Sequence, residues 1–62
     1  MRKQVVVAFF DETANTFRYR EVNSAGTHIH GDQEGAVIGD IYISKAAIPG
    51  KRPERIKLTM EY

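Results

Sequence analysis

Residues 27–32 are the one stretch of the sequence where metal-binding residue types lie close together. In an extended chain His28 and His30 project to the same side, and Asp32 could supply a third ligand. The signal is weak, because a His-x-His spacing is common by chance and the chain has no cysteine and no H-E-x-x-H motif. We therefore predict exposed loop histidines, with no metal and no other cofactor.

Catalytic chemistry has equally little support. Ser24, His28 and Asp32 are of types that can form a nucleophile and an acid–base pair, but no nucleophile elbow, phosphate-binding glycine loop or Walker motif accompanies them. A chain of 62 residues also offers little volume for a pocket of ordinary ligand size. We predict that the protein is not an enzyme and has no catalytic residues.

The positive charges carry more information than the total charge of +1. Residues 21–40 contain four acids and no Lys or Arg, whereas residues 45–57 contain five basic residues against Glu54. Sheets that bind single-stranded nucleic acid combine such cations with aromatic stacking platforms. The candidate set for nucleic-acid binding is Arg18, Arg20, Tyr42, Lys51, Arg52, Arg55 and Lys57.

An ordinary solvated face is the alternative interpretation of the same cations. Half-buried antiparallel strands direct Arg, Lys, Thr and Glu outward for solubility and to keep strand edges from pairing. Glu21 and Glu61 lie near these cations in the sequence and could neutralise them.

Four segments have the composition of strands, and they must position these side chains. Residues 4–10 form a continuous β-branched and aromatic run, and residues 16–22 and 54–62 alternate between apolar and polar types. Residues 36–44 predict a third strand with a bulge at Gly39, followed by a single helical turn over 45–48. Residues 23–35 read as a long loop. The sequence thus predicts one all-β domain over 1–62, a four-stranded antiparallel sheet or a partly open barrel.

Alternation also assigns the faces of these strands. Phe17 and Tyr19 share one face and Arg18, Arg20 and Val22 the other, while Ile41 and Ile43 lie opposite Tyr42. In the last strand the apolar face comprises Ile56, Leu58, Met60 and Tyr62, and the polar face comprises Arg55, Lys57, Thr59 and Glu61.

Such a sheet lacks a second layer to cover its apolar face, and no disulfide can stabilise so short a chain. The sheet could curl into a small barrel, or a second copy could pack against it face to face. We favour the homodimer. A larger protein partner, docked by a sheet edge or by the 23–35 loop, is a further alternative. No segment approaches the roughly 20 apolar residues that span a bilayer, so we expect no membrane partner and a cytoplasmic location.

Residues 42–56 carry the pattern Y-x-x-K-x-A-x-x-G-x-x-P-x-x-I. This pattern resembles the C-terminal half of short uncharacterised β proteins encoded by bacteria and their phages. The resemblance implies a strand, a helical turn, a reversal and a returning strand, and it implies no activity. From the sequence we expect a non-catalytic binding or interaction module.

Overall fold

The computed structural model describes all 62 residues as a single antiparallel sheet. Its strands are β1 (Arg2–Glu12), β2 (Thr16–Glu21), β3 (Asp40–Ser44) and β4 (Arg55–Glu61), in the order β3-β2-β1-β4. A 3-10 turn at Lys45–Ala47 is the only helical element. The sheet curls into a half-barrel, which confirms the predicted all-β fold.

β1 is one of the two inner strands, and its β-branched and aromatic composition suits a position with neighbours on both sides. It pairs with β2 from Val7 to Glu12 and with β4 from Arg2 to Ala8. The register with β2 shifts between Phe9 and Asp11, so that β1 contains a bulge there. The predicted bulge at Gly39 is wrong, because Gly39 lies just before β3 with a φ of +84°.

The core lies on one face of the sheet and is small. Val5, Val7 and Tyr19 are buried at its centre. Side chains of β3 and β4, the two opposite edges, both pack against this centre, so the sheet curls toward its apolar side. The apolar side chains that remain partly exposed around it are Phe9, Phe17, Ile38, Ile41, Ile43, Ile56, Leu58 and Met60.

Residues 45–54 connect the two edges of the sheet by crossing the apolar face. The Tyr19 hydroxyl donates to Pro53 O at 2.7 Å, and Phe9 N donates to Glu54 O at 2.9 Å. These contacts lead β4 to the far side of β1. The returning strand thus pairs with β1 and not with β3, a strand order that the sequence left open.

The third strand is shorter than predicted and begins only at Asp40. The backbone N–H groups of residues 37–39 donate to a buried carboxylate and not to a neighbouring strand. Glu21 is only 4% exposed, and its carboxylate accepts from the backbone N–H groups of Val37, Ile38 and Gly39 at 2.7–3.1 Å. Alternation along β2 places Glu21 on the face of Phe17 and Tyr19. Its carboxylate thus holds the end of the long loop against the apolar side of the sheet.

Candidate binding faces of the sheet

One face of the sheet collects most of the predicted cations, and we call it the cation face. Register places Arg20 and Arg55 on either side of Ala8, and Lys57 opposite Val6. Arg18 lies opposite Tyr42 in the pairing of β2 with β3. Five of the seven predicted binding residues therefore share this face: Arg18, Arg20, Tyr42, Arg55 and Lys57.

Arg18 and Arg20 are engaged by acids of the neighbouring strands. Arg20 donates from Nε to Asp40 Oδ1 at 2.7 Å and from Nη2 to Asp40 Oδ2 at 3.0 Å. Arg18 makes a bidentate pair with Asp11, 2.7 Å from Nε to Oδ1, and its Nη1 lies 3.7 Å from Asp40 Oδ2. These pairs join β1, β2 and β3 across the face and neutralise both arginines.

Aromatic rings hold the same two guanidinium groups in place. Arg20 Cζ lies 3.8 Å and Arg18 Cζ 4.8 Å from the centroid of the Phe10 ring, and Arg18 Cζ lies 6.0 Å from that of Tyr42. The rings of His28 and Phe10 also pack edge-on, with 5.5 Å between their centroids. The Phe10 ring thus contacts both arginines through cation–π interactions and the long loop through His28.

The pKa values of this cluster follow from its ion pairs. The hydrogen bond from Arg20 lowers the pKa of Asp40, and the hydrogen bond to Asp40 raises the pKa of Arg20. The bond to Asp11 raises the pKa of Arg18. Arg18 and Arg20 are therefore charged at every physiological pH, but their charge is directed to Asp11 and Asp40.

Arg55 and Lys57 differ from these arginines, because no acidic side chain lies within ion-pair distance of either. Both residues are exposed on β4. They are the free cations of this face. Two aromatic side chains of the cation face are exposed enough to stack on a base. They are Tyr42, 58% exposed, and Phe10, 38% exposed.

Lys51 and Arg52 do not join the cation face. Arg52 lies over the Phe9 ring, 3.5 Å from Cζ to the centroid, and its Nη1 donates to Glu54 Oε1 at 2.6 Å. Phe9 belongs to the apolar face, so Arg52 covers part of the core. Lys51 is exposed beside it in the crossing segment.

The residues that could have served as metal ligands do not form a site. No group of three or more His, Cys, Asp or Glu side chains lies close enough to hold a metal ion. His28 contacts Phe10, and the backbone of His30 accepts from and donates to Gln33. The one open cleft lies between the chain ends, lined by Met1, Arg2, Glu61 and Tyr62.

The 23–35 loop is tied to its own sheet. Val22 forms a β-bridge with His28, and Ile29 N donates to Glu21 O at 2.9 Å. The Asn23 side chain accepts from the backbone N–H groups of Ala25 and Thr27, both at 3.0 Å. These contacts hold the first half of the loop against the end of β2.

Sequence reasoning misses three residues of the cation face and misplaces a fourth. Phe10 and Asp11 reach Arg18 through the bulge in β1, which nothing in the local sequence signals. The sequence shows Asp40 as one of four acids in residues 21–40 and does not indicate that it pairs with Arg20. Glu21, predicted as a possible neutraliser of the cations, lies on the opposite face, and the alternation of β2 was the available signal.

Comparison with protein-family models, with curated proteins and with solved structures gave no match for this chain. The structure contains no helix with the length and apolar character that a membrane span requires.

Proposed function

We propose that this chain is a non-catalytic interaction module that works as a homodimer, in which a second copy covers the half-open apolar face. The observation that carries the proposal is the size of the core. Three apolar side chains are buried at its centre, while eight more pack around them and remain partly exposed. A domain needs two packed layers, and this sheet supplies one.

Surface area and charge both favour a second copy as the occupant. The accessible surface of 4401 Å² exceeds by about 400 Å² that of a compact monomer of 7.0 kDa. A net charge of +1 creates little repulsion between two copies. An identical apolar face also needs the same cover, so one contact satisfies both copies.

Sedimentation velocity at micromolar concentration tests this proposal. We expect a dimer, with a thermal midpoint that rises with protein concentration because association stabilises the folded state. A monomer with a concentration-independent midpoint would overturn the proposal.

Two neighbouring residues of β3 provide a matched pair of variants for the same measurement. Ile41 contributes to the apolar face, whereas Tyr42 lies on the cation face. We expect Ile41→Thr to weaken the dimer about tenfold through lost apolar burial. Tyr42→Thr should leave it unchanged, and circular dichroism checks that both variants fold.

Binding of single-stranded nucleic acid to the cation face is our second candidate function. The observation that favours it is the pair of free cations, Arg55 and Lys57, beside one another on β4. Arg18 and Arg20 contribute little because Asp11 and Asp40 already neutralise them. Two phosphate contacts give weak, salt-sensitive binding.

A labelled oligonucleotide measures this second candidate by fluorescence anisotropy. With two contacts, we expect binding about sevenfold weaker at 200 mM than at 50 mM salt. Lys57→Ala should weaken binding, whereas Lys51→Ala, an equal loss of charge in the crossing segment, should not. No binding at low salt, or equal effects of the two variants, would contradict it.

A further inference from the structure

The outer edge of β4 is open along its whole length. Phe9 N donates to Glu54 O, and Tyr62 N donates to Met1 O at 2.8 Å. Hydrogen-bonded pairs recur at every second residue of an antiparallel ladder. The backbone groups of Ile56, Leu58 and Met60 therefore point toward β1. Those that point away from the sheet belong to Arg55, Lys57, Thr59 and Glu61.

These four residues are complementary to their own sequence read in the opposite direction. In an antiparallel pair centred on Leu58, Arg55 lies opposite Glu61 of the second copy, and Lys57 lies opposite Thr59 of the second copy. Opposite charges facing each other across an antiparallel pair are stabilising. The two-fold axis repeats each of these contacts, as a symmetric dimer requires.

Other registers are worse. A two-fold axis at Lys57 places this lysine directly opposite the same residue of the second copy, and an axis at Ile56 places Lys57 opposite Arg55 of the second copy. An axis at Thr59 places Lys57 opposite Glu61 of the second copy, but it leaves Arg55 without a residue opposite it in β4. The register centred on Leu58 engages all seven residues of β4. Lys57 thus acts against wrong pairings, which is a common use of lysine on a strand edge.

The same register continues the apolar face across the axis. Leu58 lies beside Leu58 of the second copy, and Ile56 lies opposite Met60 of the second copy. Because each sheet curls toward its apolar side, joining two half-barrels at β4 turns both apolar faces toward a shared interior. Edge pairing therefore supplies the missing second layer.

We propose that the homodimer forms by antiparallel pairing of β4 with β4 of a second copy, about a two-fold axis at Leu58, to give one eight-stranded sheet. This inference rests on the proposed homodimer and specifies its interface. It replaces the face-to-face contact expected from the sequence with an edge-to-edge contact.

Two charge-reversal variants test the interface. Arg55→Glu and Glu61→Arg each place like charges opposite each other at both symmetric positions, and we expect each to weaken its own dimer about tenfold or more. An equimolar mixture of the two variants restores opposite charges at both positions. Native mass spectrometry should therefore show the mixed dimer in preference to either homodimer.

A proline variant tests the backbone pairing independently of charge. The N–H of Thr59 points away from β1, a position where an edge strand tolerates proline. We expect Thr59→Pro to keep the fold and to lose the dimer, whereas Thr59→Val keeps both. Circular dichroism reports the fold, and sedimentation reports the dimer. Glu61→Arg also removes the ion pair of Glu61 with Arg2, in which the two side chains lie 3.1 Å apart. Thermal denaturation of this variant measures how much of its effect comes from lost stability of the fold.

The outcomes separate this inference from the proposal on which it rests. A wild-type dimer, weakened by both charge variants and restored in the mixture, supports both. A wild-type dimer that none of the charge or proline variants changes overturns the β4 interface and leaves the homodimer standing. A wild-type monomer overturns both.

Discussion

Replacing Glu21 with alanine is expected to remove about 3 kcal/mol from the free energy of unfolding, because it leaves the backbone donors of residues 37–39 without their acceptor. A single core in a domain of this size seldom supplies more than about 3–5 kcal/mol. The Glu21→Ala protein should therefore retain about 0–2 kcal/mol, so that up to about half of it is unfolded at room temperature. Urea titration followed by circular dichroism measures this loss.

Glu21→Gln is the matched control. It keeps the shape of the side chain and one acceptor oxygen, but it directs an amide donor at backbone donors. We expect a loss of about 1–2 kcal/mol, smaller than for alanine. Equal stability of wild type and Glu21→Ala would show that the carboxylate does not hold residues 37–39 in solution.

The same carboxylate makes stability depend on pH. Burial acts to raise the pKa of Glu21, but the N–H groups of Ile38, Gly39 and Val37 and the charge of Lys3 outweigh it, so this pKa is lowered. The folded state therefore binds its proton less readily than the unfolded state does. The contribution of Glu21 is complete above its ordinary pKa of 4.5 and is lost as the pH falls through the lower folded value.

Comparison with Glu21→Gln isolates this effect, because Asp40 also has a lowered pKa and titrates in the same acid range. The stability difference between wild type and Glu21→Gln should be constant at neutral pH and shrink as the pH falls below 4.5. A difference that stays constant into acid would contradict the assignment.

For Glu21 and Arg18, the sequence predicts the face of the sheet on which each side chain lies but not the groups that it contacts. Period-two alternation correctly separates Phe17 and Tyr19 from Arg18 and Arg20, because side chains of a strand alternate whatever lies beside it. The same rule places Glu21 on the apolar face. Its partners, however, come from residues 37–39, and no local pattern indicates which distant backbone groups will meet it.

Strand order and the bulge in β1 also depend on contacts between residues that are far apart in the sequence. The residues 45–54 contain the turn signals of a reversal, and a reversal next to β3 would satisfy them equally well. The hydrogen bonds from Tyr19 to Pro53 O and from Phe9 to Glu54 O stabilise the path across the apolar face instead. The bulge likewise depends on the pairing with β2, and it is what brings Asp11 to Arg18.

Gly39 shows a third limit. Its φ of +84° and its close approach to Gly31 explain why glycine is needed there, since an added Cβ would lie 2.9 Å from the Gly31 Cα atom. The sequence marks the residue as unusual but does not distinguish a bulge from a tight backbone contact. Only the folded position of Gly31 resolves that choice.

Tyr19 should show the largest effect of any single side chain in the core. Its side chain is fully buried and contacts the Phe9 ring edge-on, with 6.0 Å between the ring centroids. Truncating a buried aromatic residue to alanine costs about 3–5 kcal/mol, which equals the whole stability expected for a domain of this size. We expect Tyr19→Ala to be unfolded by circular dichroism without denaturant.

Tyr19→Phe separates packing from the hydrogen bond that fixes the crossing segment. It keeps the ring and removes the donor to Pro53 O, at an expected cost of about 1 kcal/mol. Because this bond holds residues 45–54 over the apolar face, the amide of Phe9, which donates to Glu54 O, should also exchange faster with solvent. Unchanged exchange at Phe9 would mean that the Arg52 contact with the Phe9 ring holds the segment by itself. In the proposed homodimer, the crossing segment would limit how much of the apolar face a second copy can reach. A loosened segment should then also alter the dissociation constant of that dimer.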